Sequence, residues 1–286
     1  MADTHPGLGL CFFGNQLFYA VNTPGSSNRL SRIGCVDFNF NVPEALLTGR
    51  EDHFPGIQQA VEKLKERFGI RHIRILSFPT GECWSIFPKV VYDEADEREA
   101  HLKILMSGTD RQRIQPTWYN LSNPDYKLLM LRDTGALGGL PKIAPSASTV
   151  DLVSEFEIGQ RWISHADPGG SFMTVCCFGE CISVSSFILG KLRGTTFIEF
   201  DEVDDLPYLW LHHASEQKWM QGLHDHVYVY GQQAHRFIDV LRPFWDDAGS
   251  VQKMNSLEAI RIEADERTYG FDLEMAFPAI LLSLQV

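Results

Sequence analysis

Leu10-Cys11-Phe12-Phe13-Gly14-Asn15-Gln16-Leu17-Phe18-Tyr19-Ala20 can be laid, without a gap, over Val175-Cys176-Cys177-Phe178-Gly179-Glu180-Cys181-Ile182-Ser183-Val184-Ser185. Both read as strand, tight turn, strand. Each carries Phe-Gly and one or two polar residues between β-rich runs, where glycine takes the positive φ that a hairpin turn requires. A third strand follows in each half, Ile33 to Phe40 and Arg193 to Phe200, the second alternating apolar and polar residues towards its end. An amphipathic helix comes next. From Pro55 to Phe68, Ile57, Val61, Leu64 and Phe68 form one stripe, and Gly69 stops it. Its counterpart is expected over Pro207 to Gln221, on a stripe of Leu209, His213, Glu216 and Met220. Ile73 to Phe78 and Val227 to Gly231 supply a fourth strand to each unit. Four elements recurring in one order point to an internal duplication.

The remaining sequence reads as additions to these units. Residues 81–133 hold Ile86-Phe87-Pro88, an acidic helix around Glu94 to Met106, Trp118-Tyr119 and a strand over Tyr126 to Leu131, and read as a small inserted subdomain. Gly135 to Ser148, rich in Gly, Pro, Ala and Ser, is expected as a mobile loop crossing between halves. A helix is expected from Thr149 through Trp162, capped by Thr149 or Ser148. Gln233 to Trp245 reads as a second helix of the C-terminal unit, Leu257 to Ile262 as a strand, and Ala276 to Leu284 as an apolar last segment. The fold class is therefore α/β, with residues 1–148 forming one half and residues 149–286 the other.

Composition narrows function by exclusion. The 286 residues are 44% hydrophobic and 22% charged, the balance of a globular protein, and 37 acidic against 25 basic residues give a net charge of −12. No run of Lys and Arg forms a local basic stripe, so nucleic acid and anionic membranes are not expected partners. The start at Met1 to Gly7 does not read as a secretory signal, and no long apolar run reads as a membrane span. Cys11, Cys35, Cys83, Cys176, Cys177 and Cys181 suit buried free thiols in a reducing compartment, which points to the cytoplasm.

Two βββαβ units with an insertion after the first fourth strand resemble the actin-like ATPase superfamily, a duplicated RNase H-like fold. Within it the chain resembles the bacterial PilM/FtsA-like branch, where a strand ending near Phe78-Pro79 leads to a Phe-Pro and acidic-helix segment like Ile86 to Met106. In ATP-using members the resemblance implies Asp-x-Gly in the first hairpin of each half, its amides holding phosphate and its carboxylate positioning Mg²⁺ or water. Here Gly14 and Gly179 remain as turn residues, but two positions earlier stand Phe12 and Cys177, neither an oxygen ligand for a hard cation. The adenosine-site double glycine is reduced to Gly231 followed by Gln232-Gln233. Gly14, Gly179 and Gly231 are thus vestigial nucleotide-site positions, and neither hydrolysis nor a cofactor is expected.

Other motifs carry less. His212, His213, His224, Asp225, His226 and Cys181 lack the spacing of a zinc site, and no catalytic residue or metal ligand is assigned. The acidic run Asp93 to Glu99 reads as a solvated helix face. Three functions are compatible with these residues. One is a non-catalytic scaffold binding a protein partner, such as the cytoplasmic tail of a membrane protein in a pilus or secretion assembly, with Trp84, Trp118, Tyr119 and Trp219 as candidates either for an exposed interface or for the core. Another is an ATPase or kinase, with Asp37, Asp133 or Asp201 brought into the cleft. The third is a small-ligand binder using the cleft between the halves.

Overall fold

A computed structural model describes residues 5–26, 29–50, 52–145, 148–166, 168–222, 224–245, 250–264 and 272–284. Met1 to Thr4, used in judging the start, and Ser146 and Ala147 of the expected crossing loop lie outside them. The first unit runs β1 (Gly7–Phe13), β2 (Gln16–Asn22), β3 (Arg29–Asp37), α1 (Val42–Thr48), α2 (Phe54–Phe68) and β4 (His72–Leu76). There follow β5 (Glu82–Pro88), α3 (Lys89–Asp93), α4 (Ala95–Leu105), β6 (Ile114–Asn120), β7 (Tyr126–Asp133), α5 (Gly139–Lys142), β8 (Thr149–Val153) and α6 (Phe156–Ala166). The second unit contains β9 (Ser171–Cys177), β10 (Cys181–Ile188), β11 (Lys191–Glu199), α7 (Leu206–Glu216), β12 (His226–Gly231), α8 (Ala234–Leu241) and β13 (Val251–Lys253), with β14 (Glu263–Ala264) and α9 (Leu273–Ser283) closing the chain.

The duplication is visible in the strand order. One sheet runs β14-β3-β2-β1-β4-β8 and the other β11-β10-β9-β12-β13. In both, three antiparallel strands meet a parallel fourth, β1 with β4 and β9 with β12. Each copy also has a parallel fifth strand, β8 beside β4 and β13 beside β12, which extends the four-strand unit read from sequence. The insertion forms its own sheet, β5-β7-β6.

Side-chain alternation turns these sheets into layers. Leu8, Leu10 and Phe12 face outward to a core shared with α1 and α2, while Cys11 and Phe13 face inward to a central core shared with α6 and α9. The second sheet repeats this, Met173, Val175 and Cys177 packing under α7 and α8, and Phe172 and Cys176 turning to the centre. Helix α9 is buried from Ala276 to Ser283 and lies directly on β1, where a Cβ on Gly9 would fall 2.0 Å from the Ala279 carbonyl oxygen. Small residues on both sides permit that approach. Arg74 reaches the far end of α9 and donates to the Leu282 and Leu284 carbonyls at 3.0 and 3.3 Å, acceptors that the helix itself leaves unpaired.

Several expectations change. Thr149 to Val153 is a strand because Thr149, Val150, Asp151, Leu152 and Val153 pair in register with His72 to Leu76; the helix begins only at Phe156. The segment after Gly135 is packed, with Leu137, Leu140 and Ile143 buried against α1, α2 and the first sheet. Leu257 to Arg261 is a turn, with strands at Val251–Lys253 and Glu263–Ala264 on either side. Helix α7 ends at Glu216 and buries Leu206 and Trp210, so Leu209 and His213 are not its core stripe. Cys83 is exposed and Cys35 half-buried; the other four thiols are buried. Among the described residues no helix is long and apolar enough to cross a membrane.

Candidate functional site

The two hairpin turns meet across a cleft of about 1090 Å³ between the halves. In the first turn Gly14 has φ +56°, and in the second Gly179 has φ +96°, the left-handed backbone that selects glycine. Phe13 and Phe178 touch across the gap, their ring centroids 5.7 Å apart. Gly231 ends β12 at φ +93°, so close to the second hairpin that a Cβ would lie 2.4 Å from the Cys177 carbonyl oxygen. That carbonyl accepts the Gln232 N–H at 2.8 Å. All three glycines singled out by sequence therefore border one place.

Gln232 is the residue whose part in this place sequence reading missed. A Cβ on Gly14 would stand 3.4 Å from its Nε2, and one on Gly179 would stand 3.3 Å from its Oε1. One amide thus bridges the space between the two turns. Phe12 lines the same cleft with its ring against Phe78, centroids 6.4 Å apart. Cys177 points away into the outer core, where burial pushes its thiol well above the usual range.

The cleft wall carries Glu44, Glu180, Glu199, Asp201 and Asp205, with no Lys, Arg or His among the described lining residues. Arg50 offsets one charge, at 3.2 Å from Glu44. The only thiol in the lining is Cys181, raised to about 12 by burial and by the carboxylates of Glu199 and Glu180, so it is no nucleophile at neutral pH. Of the carboxylates named as possible replacements, Asp201 borders the cleft. Asp37 instead accepts from Gln16 at 2.7 Å, and Asp133 pairs with Arg113 at 3.3 Å while holding the Gly135 and Ala136 amides.

The remaining sequence candidates are dispersed. His224 Nε2 lies 2.9 Å from the Ser186 hydroxyl, Asp225 accepts the Ser171 N–H at 2.8 Å, and His212 faces Glu216 at 3.8 Å. Among the described residues no three His, Cys, Asp or Glu side chains converge as a metal site. Of the two readings left open for the aromatic candidates, packing is the one found. Trp219 is buried against Gly194, Trp84 sits edge-on to Phe156 and Phe197, Tyr119 packs on Phe156, and Trp118 packs on Phe87 and Tyr92.

A buried polar hub behind the cleft joins all three sheets. Glu82 accepts from Ser77, Arg132 and Ser154 at 2.7, 2.9 and 3.0 Å, and from the Trp84 indole at 2.9 Å. The neighbouring Glu155, at the entry to α6, accepts from Ser183 of β10 and Tyr230 of β12. Complete burial raises its carboxyl to about 7 despite those donors.

No protein-family model matches the chain, and no curated protein matches it by sequence. Solved structures do match. The PilM-PilN type IV pilus biogenesis complex is similar with a TM-score of 0.68 and 11% identity, over 99% of this chain and 98% of that one. A Bacteroides thetaiotaomicron protein described as having an actin-like ATPase fold and unknown function is similar with a TM-score of 0.51 and 15% identity, over 88% and 92% of the two chains. This chain has the actin-like ATPase fold. Its two RNase H-like sheets are the halves of that fold, and the acidic cleft bridged by Gln232 is the cleft between them.

Proposed function

We propose that this actin-like chain is a non-catalytic scaffold that binds other proteins, acting in the cytoplasm in a bacterial pilus or secretion assembly. The observation that carries this reading is the Gln232 amide spanning Gly14 and Gly179. In an ATP-using relative, phosphate oxygens belong between those turns. Phe12 and Cys177 add no oxygen ligand for Mg²⁺, and the carboxylates on the cleft wall repel a polyphosphate that no lining cation attracts. Gly14, Gly179 and Gly231 are read as positions that keep the turn geometry of a nucleotide site without its chemistry. Similarity in fold to a pilus biogenesis complex of two proteins supports a partner-binding role.

An ATPase or kinase reading draws on one specific observation, that Asp201 borders the cleft. A thermal shift with millimolar ATP and Mg²⁺ separates the two. The scaffold reading expects an unchanged Tm. A rise of several degrees would overturn it, because a ligand that binds the native state stabilises that state.

A further inference from the structure

A second concavity, of about 770 Å³, opens between the inserted sheet, α6 and the tip of the β10–β11 hairpin. A hydrogen bond from the Ser122 N–H to the Leu192 carbonyl, 2.6 Å, ties the insertion to that hairpin beside it. The walls carry Lys89 and Lys127 from the insertion, Arg161 from α6 and Lys191 from the hairpin, against one carboxylate, Glu157. The sequence reading expected no local basic patch; the fold builds one from four distant segments.

These cations are not equally engaged. Lys89 pairs with Asp93 at 2.7 Å, and Lys127 donates to Asn120. Arg161 and Lys191 have neither a hydrogen bond nor an ion pair from their side chains among the described residues. Arg161 is partly buried, with Arg74 acting on it as a like charge and the carboxylates of Glu157 and Asp151 opposing that effect. Glu157 offsets part of this. Burial raises its carboxyl, and it accepts from the Ser154 N–H and the Tyr119 hydroxyl.

Apolar side chains stand beside the basic wall. Tyr126 lines the groove, 41% exposed, and Val90, next to Lys89, is 74% exposed. Ile188 pairs in register with Lys191, and Leu189 at the hairpin tip is 80% exposed. Leu189 has φ +47°, a left-handed conformation that a leucine adopts only at a cost in backbone strain. Leu189 and Gly190 form the two-residue turn of this hairpin, which requires positive φ at both positions and leaves the leucine in solvent next to Lys191.

We propose that this groove docks an acidic segment of a partner protein whose carboxylates alternate with apolar side chains, the carboxylates meeting Arg161 and Lys191 and the apolar groups packing on Tyr126 and Ile163 of the groove and on Leu189 at its rim. The inference rests on the scaffold reading and gives its partner a chemistry. Charge complementarity selects the occupant. On a chain of net charge −12, an acidic segment is repelled from the interlobe cleft, which carboxylates line, and attracted to this groove.

The test is fluorescence anisotropy of a labelled peptide alternating glutamate and leucine, titrated with the full chain. Lys191→Glu and Leu189→Asp alter exposed side chains, so both variants should fold, as checked by melting. Binding that weakens with salt and falls about tenfold in each variant supports the proposal. Undetectable binding at millimolar protein, equal binding by wild type and both variants, or displacement of the peptide by single-stranded DNA at similar concentration overturns it. The ATP experiment keeps the two readings apart. A nucleotide-dependent Tm rise with variant-sensitive peptide binding removes the scaffold-only reading and leaves the groove. Silence towards ATP with variant-indifferent binding removes the groove and leaves the scaffold.

Discussion

The interlobe cleft and the groove beside the insertion are both concave, and their charges are opposite. Among the described residues the cleft presents Glu44, Glu180, Glu199, Asp201 and Asp205 without a cation, whereas the groove presents Lys89, Lys127, Arg161 and Lys191 around a single glutamate. The resemblance to ATP-using actin-like proteins would place a polyanion in the cleft. Here the positive charge stands at the other site, and an amide bridges the turns of the first. The comparison teaches that architecture and chemistry separate: the glycines preserve the backbone path, while charge decides what each concavity can hold.

The most damaging way to break the comparison is through the hub that anchors the groove's wall. Glu82→Ala leaves the Arg132 side chain, only 12% exposed, without its carboxylate, and should cost about 3–5 kcal/mol in urea unfolding. Replacing both partners by apolar residues of similar size should cost much less. Because Glu82 holds β5 to Ser154, the single substitution should also weaken peptide binding at the groove. Unchanged stability would mean that the insertion is anchored elsewhere.

A smaller effect sharpens the comparison from the cleft side. Glu155 links the entry of α6 to β10 and β12, so it joins the halves that enclose the cleft. Its carboxyl lies at about 7 when folded, against an ordinary 4.5. Between those values the native state holds a proton that the unfolded chain has released. Stability therefore falls as pH rises through that window and levels off above it. Glu155→Gln should remove this component, which is checked by comparing unfolding free energies of the two proteins from pH 4 to pH 8. Parallel profiles would acquit Glu155.

What sequence could and could not disclose follows from the range of each interaction. The hairpins at Gly14 and Gly179 and the helix ending at Gly69 are local, and their glycines and apolar stripe announce them. β8 was hidden because Thr149 to Val153 becomes a strand by pairing with His72 to Leu76, far away in the chain. β13 is three residues long, too short for any periodicity to register. The absence of Asp-x-Gly was legible at Phe12 and Cys177. That Gln232 would reach both turns, and that four cations from separate segments would share one wall, are facts of tertiary geometry with no sequence pattern of their own.

The smallest expected effect asks whether, on the scaffold reading, shape or charge would keep phosphate from the cleft. Gln232→Gly removes the amide between Gly14 and Gly179 and adds backbone freedom to the unfolded chain, for a loss of about 1 kcal/mol in urea unfolding. If the carboxylate wall is the stronger barrier, the variant should still give no Tm rise with millimolar ATP and Mg²⁺. Adding Glu180→Lys beside the second turn would then supply a lining cation, and only that double variant should respond to nucleotide. A response from Gln232→Gly alone would make the bridge the dominant obstacle. The opposite charges of the two concavities would then matter for the groove but not for the silence towards nucleotide that the scaffold reading expects of the cleft.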